Sequence, residues 1–222
     1  MLLAFVFLAM LFLGVPVAFA LALATIFAFI EIGDPMLLML VPQRMFTTME
    51  DYILLAIPFF IMAGEIMNRS LLTDKLVRFV GNVVGNFRGG LAHTVIVSEI
   101  FFSGITGSAV ADMVALGGVL IPAMEKEKYG KEFSTAVVAS SAVLGPIIPP
   151  SIPMLIYASV MNVSVAGLFV AGILPGIVMA LCLMIMAGLI AAKRGFGVKR
   201  AFPGFIVLGV SFIQAIPALF MP

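Results

Sequence analysis

Long apolar runs separated by short polar segments make up most of this sequence. A helix needs about 20 apolar residues to cross the hydrocarbon core of a membrane, so each run predicts a membrane helix or a helix pair. The first run is interrupted by Gly14-Val15-Pro16, which predicts either one long kinked helix or two short ones. The runs occupy residues 1–30, 52–67, 89–124, 133–161, 165–192 and 201–222.

Residues 68–88 follow a different pattern, in which apolar residues recur at helical spacing among basic ones. Such a pattern is typical of an amphipathic helix that lies along the membrane surface. The apolar positions of this segment are Leu71, Leu72, Leu76, Phe79, Val80, Val83 and Val84.

The basic residues predict which side of the membrane each segment faces, because cytoplasmic segments carry an excess of Lys and Arg. Segment 68–88 has four basic residues and one acid, and segment 193–200 has four basic residues and no acid. Segment 31–51 has four acids and one arginine, so it is expected outside. Both basic segments are therefore expected in the cytoplasm.

Three apolar runs separate the two basic segments, and three single crossings would place those segments on opposite sides. The run 89–124 removes the conflict if it enters and leaves on the same side. Split at its glycine- and serine-rich centre, it makes two arms of about 15 residues, or about 22 Å each, which is shorter than the roughly 30 Å core. The pattern predicts a re-entrant hairpin open to the cytoplasm, followed by an outward-running helix at 133–161.

The predicted turn of the hairpin reads FFSGITGSAVAD over residues 101–112, with three hydroxyl side chains and two glycines near its centre. Irregular backbone at membrane depth is tolerated only where protein or a water-filled cavity covers it. The helix ending near Ser103 directs carbonyls at the turn, which suits a cation, and the helix starting near Ser108 directs amides, which suits a carboxylate. The alternative is a small-residue surface for helix packing.

A second interruption reads GPIIPPSIP over residues 145–153 and has four prolines inside an uncharged run. Proline removes a backbone donor and disfavours helix in the residue before it. The carbonyls around residues 144–147 should therefore lack helical partners, and such oxygens are ligands that alkali cations accept. Ser140, Ser141 and Ser151 add hydroxyls, and the alternative is a purely structural kink.

Composition excludes several classes of protein. The chain is 63% hydrophobic and 10% charged, with a mean hydropathy of +1.26, so lipid is its expected solvent. A net charge of +1 gives no reason to expect a nucleic-acid partner. One cysteine, Cys182, and one histidine, His93, predict no transition-metal site, and no phosphate-binding loop or hydrolase motif is present. The chain is not expected to be an enzyme.

Several stretches resemble the large membrane subunit of tripartite ATP-independent periplasmic (TRAP) transporters. They are FSGITGSAVADMVALGGVLIPAM, AVLGPIIPPSIPMLIYAS, LGVPVAFALA, LLAIPFFIMAGEIMNRS and FRGGLAH. The resemblance implies an all-α membrane protein of the elevator type, in which each repeat has one re-entrant hairpin and one broken helix. It also implies sodium-coupled uptake of organic acids, such as C4-dicarboxylates or sialic acid, in a bacterial or archaeal cytoplasmic membrane. A small membrane subunit and an extracytoplasmic binding protein would be the partners.

The same resemblance assigns roles to residues of the two interruptions. Na⁺ is expected at Ser103, Thr106, Gly107, Ser108, Gly145, Pro146, Ile148 and Pro149. The substrate carboxylate is expected at Gly104, Ser108, Pro150 and Ser151. Asp112 is expected to brace the turn through hydrogen bonds, and Glu99, one turn before Ser103, to tune the site or anchor the hairpin.

The expected domain organisation follows the same family. Residues 1–88 would form scaffold helices and a surface helix, residues 89–161 the transport element, and residues 162–200 a membrane helix with a basic loop. Residues 201–222 would begin a second inverted repeat, so the chain is expected to be the N-terminal half of a carrier and unable to transport alone. Two alternatives remain open, a related sodium-coupled dicarboxylate carrier without a binding protein and a noncatalytic membrane scaffold.

Overall fold

The computed structural model describes residues 2–70, 72–197 and 203–219, and the side chains of residues 35, 67–69, 105 and 106 lie outside this description. Every regular element within the described residues is helical. The elements are α1 (Leu2–Phe12), α2 (Val17–Ile32), α3 (Pro35–Met49), α4 (Tyr52–Arg69), α5 (Leu72–Val84), α6 (Gly90–Thr106), α7 (Ala109–Lys126), α8 (Lys131–Ser141), a 3₁₀ turn (Ala142–Leu144), α9 (Ile152–Met161), α10 (Val165–Arg194) and α11 (Phe205–Leu219).

Packing divides the chain into two compact units, one ending at Tyr52 and one beginning at Ile53. The first unit settles the choice left open for the first apolar run, because α1 and α2 are separate helices that pack against each other. Gly14 adopts a positive φ of 78°, and Pro16 precedes the first residue of α2. The functional boundary expected at residue 88 stays a prediction.

Helix α3 occupies a segment for which the sequence predicted no helix, since its charged residues indicated only a side of the membrane. Asp34 caps its first turn by accepting a hydrogen bond from the Met36 amide at 2.9 Å, and Pro35 occupies the first helical position. An Asp cap followed by proline is a strong start signal for a helix, because the cap satisfies an amide that has no partner in the first turn. These local signals explain the helix.

The apolar face of α5 packs on protein. Leu76, Val77 and Val80 are buried, and the helix lies against α6 and α11. The Phe79 ring contacts Phe212 of α11 at a centroid distance of 5.5 Å. The predicted amphipathic helix is therefore present, but its buried stripe meets other helices, because a hydrophobic pattern does not specify which apolar surface covers it. Its position along a membrane surface stays a prediction.

Helices α6 and α7 form a helical hairpin. They are joined only by Gly107 and Ser108 and pack along each other. At the open end, the Leu91 amide at the start of α6 donates to the hydroxyl of Tyr129, which follows the end of α7, at 3.3 Å. The two helices therefore run antiparallel, as expected for residues 89–124, and the depth of the hairpin in a membrane stays a prediction.

Helix α10 is the one described helix that is long enough and apolar enough to span a membrane by itself, and α3 with α4 meets the same criterion only when counted as one broken span. Its 30 residues correspond to about 45 Å. Its buried residues are all glycine or alanine, namely Gly172, Gly176, Ala180, Ala187 and Ala191. Small residues let helix backbones approach closely, so α10 packs closely on the hairpin and α9.

We expect Tyr129→Phe to lower the free energy of unfolding by about 1–3 kcal/mol, because the Leu91 amide would lose its acceptor in a buried position. Thermal unfolding of the complete transporter in detergent measures the change. Tyr157→Phe is the matched control, since Tyr157 is exposed on α9. Equal unfolding temperatures for both variants would show that the hydroxyl does not hold the hairpin closed.

Candidate functional site

The interruption at residues 145–153 separates α8 from α9. After α8 the chain makes the 3₁₀ turn, and α9 begins only at Ile152, with Ser151 as its cap. The Ser151 hydroxyl donates to the Pro146 carbonyl at 2.6 Å and accepts from the Met154 amide at 3.3 Å. One buried serine therefore ties the two sides of the interruption together.

The backbone carbonyls of the interruption differ from expectation in one respect. Leu144 was expected to lack partners, but its carbonyl accepts from the Ile147 and Ile148 amides at 3.0 and 2.8 Å. The first of these bonds spans three residues, as in a 3₁₀ turn, and the second spans four, as in an α-helix, so helical bonding extends one turn into the interruption. Within the part of the chain that the structure describes, the carbonyls of Gly145 and of residues 147–150 accept no hydrogen bond.

The tip of the hairpin is formed by the end of α6 and the start of α7. Gly107 ends α6 with a φ of 57°, and its amide donates to the Ser103 carbonyl at 3.2 Å. Ser108 caps α7, and its hydroxyl accepts from the Ala111 amide at 3.5 Å. The hydroxyl of Ser103 is buried and donates to the Ile100 carbonyl at 2.8 Å, which leaves its lone pairs available to a cation.

The hairpin tip packs directly on the interruption. A methyl group at Gly107 would lie 2.9 Å from the Ile152 amide nitrogen and 3.1 Å from the Pro150 carbonyl oxygen. A methyl group at Gly104 would lie 3.5 Å from the Pro149 carbonyl oxygen. The two stretches that lack regular helix are therefore in contact, and a side chain at Gly107 would obstruct this approach, whereas a methyl group at Gly104 would fit at ordinary contact distance.

A pair of buried acids lies beside this contact. Glu99 of α6 and Asp112 of α7 are both 0% exposed, and their carboxyl groups are neighbours. The Asp112 carboxyl reaches the interruption, because a methyl group at Gly145 would lie 2.8 Å from its Oδ2 atom. Two carboxylates repel strongly in a low-dielectric interior. Either a proton shared between the two groups or a positive charge held nearby would lower the energy of this arrangement.

A groove of about 680 Å³ opens beside the hairpin tip. Ser108 lines it together with apolar residues of α7, and the acids Glu65 of α4 and Asp74 of α5 lie on its other side. Acids and hydroxyls without a basic residue favour a cation over an anion. Glu65 stands in the apolar run 52–67 of the sequence, and the tertiary structure brings it to this groove.

A family model for the "Tripartite ATP-independent periplasmic transporter, DctM component" matches residues 4–222. The chain belongs to this TRAP transporter family. Its members are transporter permeases and not enzymes.

Curated relatives have the same family name. The chain is 37% identical to the sialic acid TRAP transporter large permease protein SiaM of Vibrio cholerae, over 86% of this chain and 45% of the relative. It is 39% identical to the C4-dicarboxylate TRAP transporter large permease protein DctM of Vibrio cholerae, over 88% and 43%. It is 33% identical to the 2,3-diketo-L-gulonate TRAP transporter large permease protein YiaN of Escherichia coli, over 95% and 49%. The chain spans about half the length of these relatives.

The structure of this TRAP permease chain brings most of the predicted site residues together. Gly104 and Gly107 of the tip contact Pro149 and Pro150 of the interruption, and Gly145 lies against Asp112. The other predicted residues are close to these along the chain, namely Ser103, Ser108, Pro146, Ile148 and Ser151. The side chain of Thr106 lies outside the described residues. Ser151 braces the interruption through its own hydrogen bonds, and its role as a substrate contact stays a prediction.

Two glycines of α10 were missed at the level of sequence. A methyl group at Gly172 would lie 2.6 Å from the Ile147 carbonyl oxygen, and one at Gly176 would lie 2.5 Å from the Ile148 side chain. Both therefore support the interruption from behind. Their spacing of four residues places them on one helix face, and this was the available signal, hidden in a segment that is apolar throughout.

We expect Gly172→Ala to displace the interruption and to destabilise the permease by about 1–3 kcal/mol, because a backbone carbonyl cannot rotate away as a side chain can. Thermal unfolding of the complete transporter measures the loss. Gly118→Ala on α7 is the control, since a methyl group there meets nothing within 4 Å. That control is expected to be neutral or stabilising, and a Gly172 variant as stable as the control would contradict the close packing.

We expect Gly107→Ala to reduce transport by about tenfold, because the added methyl group separates the hairpin tip from the interruption. Uptake into liposomes by the complete transporter measures the effect. Gly195→Ala has the same cost of a positive φ, with a φ of 67° at the end of α10, but its methyl group meets nothing within 4 Å. Equal losses in both variants would assign the effect to backbone strain alone.

Proposed function

We propose that this chain forms part of the large permease of a sodium-coupled TRAP transporter that imports an organic acid. One observation carries the proposal, namely the contact of the hairpin tip with the proline-rich interruption. This contact gathers two serine hydroxyls, backbone carbonyls without hydrogen-bond donors in the described structure, and two buried acids. Such hard oxygen ligands suit an alkali cation.

The proposed Na⁺ ion sits between the end of α6 and the interruption. The Ser103 hydroxyl and carbonyls of Gly145, Ile148 and Pro149 would supply its ligands, with Thr106, Gly107, Ser108 and Pro146 around them. The C-terminal end of α6 contributes a partial negative charge at this point. Glu99 and Asp112 would act behind these ligands, since their negative charge is compensated when the ion binds.

The proposed substrate is a small carboxylic acid. The relatives SiaM, DctM and YiaN are named for sialic acid, C4-dicarboxylates and 2,3-diketo-L-gulonate, which are all acids. The first amides of α7 point out of the helix beside Ser108, and helix N-termini favour carboxylates. Gly104, Ser108, Pro150 and Ser151 would form this chain's share of the substrate site, next to the bound ion.

The proposed mechanism is alternating access of the elevator type, with a re-entrant hairpin. The hairpin, the interruption and α10 are in close contact through glycines, which supports their movement as one body. Sodium and substrate would bind at the tip of this body and cross with it. Ion binding would favour the substrate because the cation offsets the negative field of the acids.

The proposed partners are a small membrane subunit and an extracytoplasmic binding protein that delivers the acid. The family description, which names a tripartite periplasmic system, supports them. The proposed location is the bacterial cytoplasmic membrane, since SiaM, DctM and YiaN come from bacteria. The comparisons give no support for the archaeal part of the expectation.

We expect the double variant Ser103→Ala with Ser108→Ala to abolish sodium-dependent thermal stabilisation of the complete transporter and to reduce sodium-driven uptake at least about tenfold. Each of the two substitutions removes a proposed oxygen ligand or the helix cap that positions the ligands. Stabilisation is measured in sodium chloride against choline chloride at equal ionic strength. Uptake is measured with the cognate binding protein and the acid that this protein binds.

Ser211→Ala is the matched control for this experiment. Ser211 lies on α11, is also buried, and donates to the carbonyl three residues earlier at 3.0 Å, as Ser103 does. It is expected to keep the sodium effect. Sodium stabilisation and uptake that survive the double variant unchanged would show that the proposed ligand set is wrong.

A further inference from the structure

A polar groove of about 290 Å³ lies between α5 and α11. None of its lining residues belongs to the hairpin or to the proline-rich interruption. Arg78 and Asn82 line it from α5, and Ser211 and Gln214 line it from α11. Residues three or four apart share a helix face, so two polar faces converge on one space.

The polar groups of this groove are rich in hydrogen-bond donors. Arg78 is exposed, and no described residue forms an ion pair or hydrogen bond with its side chain or with those of Asn82 and Gln214. A guanidinium has five donors and no acceptor, and each amide adds two donors. Each amide also has an acceptor oxygen, but donors outnumber acceptors and the one charge is positive, so the groove favours a ligand with several acceptors and negative charge, such as a phosphate group.

The rest of the groove is apolar. Ile206, Val207 and Val210 of α11 line it beside the polar groups. These side chains are also exposed on the outer surface of α11, with Ile206 83% exposed. A free phosphate ion gains nothing from an apolar wall, whereas a phospholipid places its headgroup on the donors and its acyl chain along the wall.

The position of the groove in the chain supports the same ligand. Arg78 belongs to the basic segment 68–88, and the first turns of α11 follow the basic segment 193–200. Both segments are expected on the cytoplasmic side, where anionic lipids attract basic residues. We propose that this groove binds the headgroup of an anionic phospholipid, with Arg78 on the phosphate.

The test uses the complete transporter in nanodiscs of phosphatidylethanolamine mixed with phosphatidylglycerol. Native mass spectrometry measures how much phosphatidylglycerol stays bound to the transporter after the transporter is released from the nanodisc. We expect Arg78→Gln to lower this retention about tenfold, because a charged hydrogen-bond donor is lost. Arg78→Lys retains the charge and is expected to lose less.

Lys75→Gln is the matched control. Lys75 lies on the same helix, has the same charge, is exposed, and does not line the groove. It is expected to retain phosphatidylglycerol as the unmodified protein does. Equal retention in Arg78→Gln and Lys75→Gln overturns the proposal.

Inorganic phosphate and the Gln214→Leu variant provide two further tests of the lipid proposal. Displacement of the lipid by phosphate at millimolar concentration, or phosphate binding without lipid, would assign the groove to a soluble anion and overturn the lipid proposal. Gln214→Leu removes a donor while extending the apolar wall, so it keeps α11 apolar. A loss of retention in this variant, with thermal unfolding unchanged, supports the proposal, and full retention contradicts it.

Discussion

Backbone groups that lose their helical partners inside a membrane need other partners, and this requirement governs the centre of the structure. The hairpin tip and the proline-rich interruption both lack regular helix, and they lie against each other. The Ser151 hydroxyl donates to the Pro146 carbonyl, and the Gly107 amide donates to the Ser103 carbonyl. The protein thereby covers irregular backbone that lipid would not tolerate.

Small residues make this arrangement sterically feasible. Gly104 and Gly107 bring the tip onto the interruption, and Gly172 and Gly176 bring α10 onto its other side. A backbone packed at these distances has little freedom to move alone. The surroundings of the proposed ion site are therefore rigid. Rigid surroundings would keep carbonyl oxygens in place around a cation even though no carboxylate is proposed to coordinate it directly.

The acids connect this packing to the proposed function. Glu99 and Asp112 come from the two arms of the hairpin and meet at full burial beside Gly145. Burial of two neighbouring carboxyl groups is costly unless they share a proton or a positive charge compensates them. If the proposed sodium ion binds beside this pair, it would stabilise the closed hairpin, because it would offset their negative charge.

Local chemistry made the interruptions predictable, and distant contacts decided the rest. Four prolines within nine residues and a Gly-Ser turn specify where helices end, because each effect acts within a few residues. Sequence alone therefore predicted the hairpin turn and the interruption, whereas the candidate ligands came from the family resemblance and stay a prediction. It did not reveal that α5 packs on α11, that Asp112 reaches Gly145, or that Gly172 supports Ile147. Apolar residues in a membrane protein face lipid and protein alike, so only the tertiary structure selects the partner.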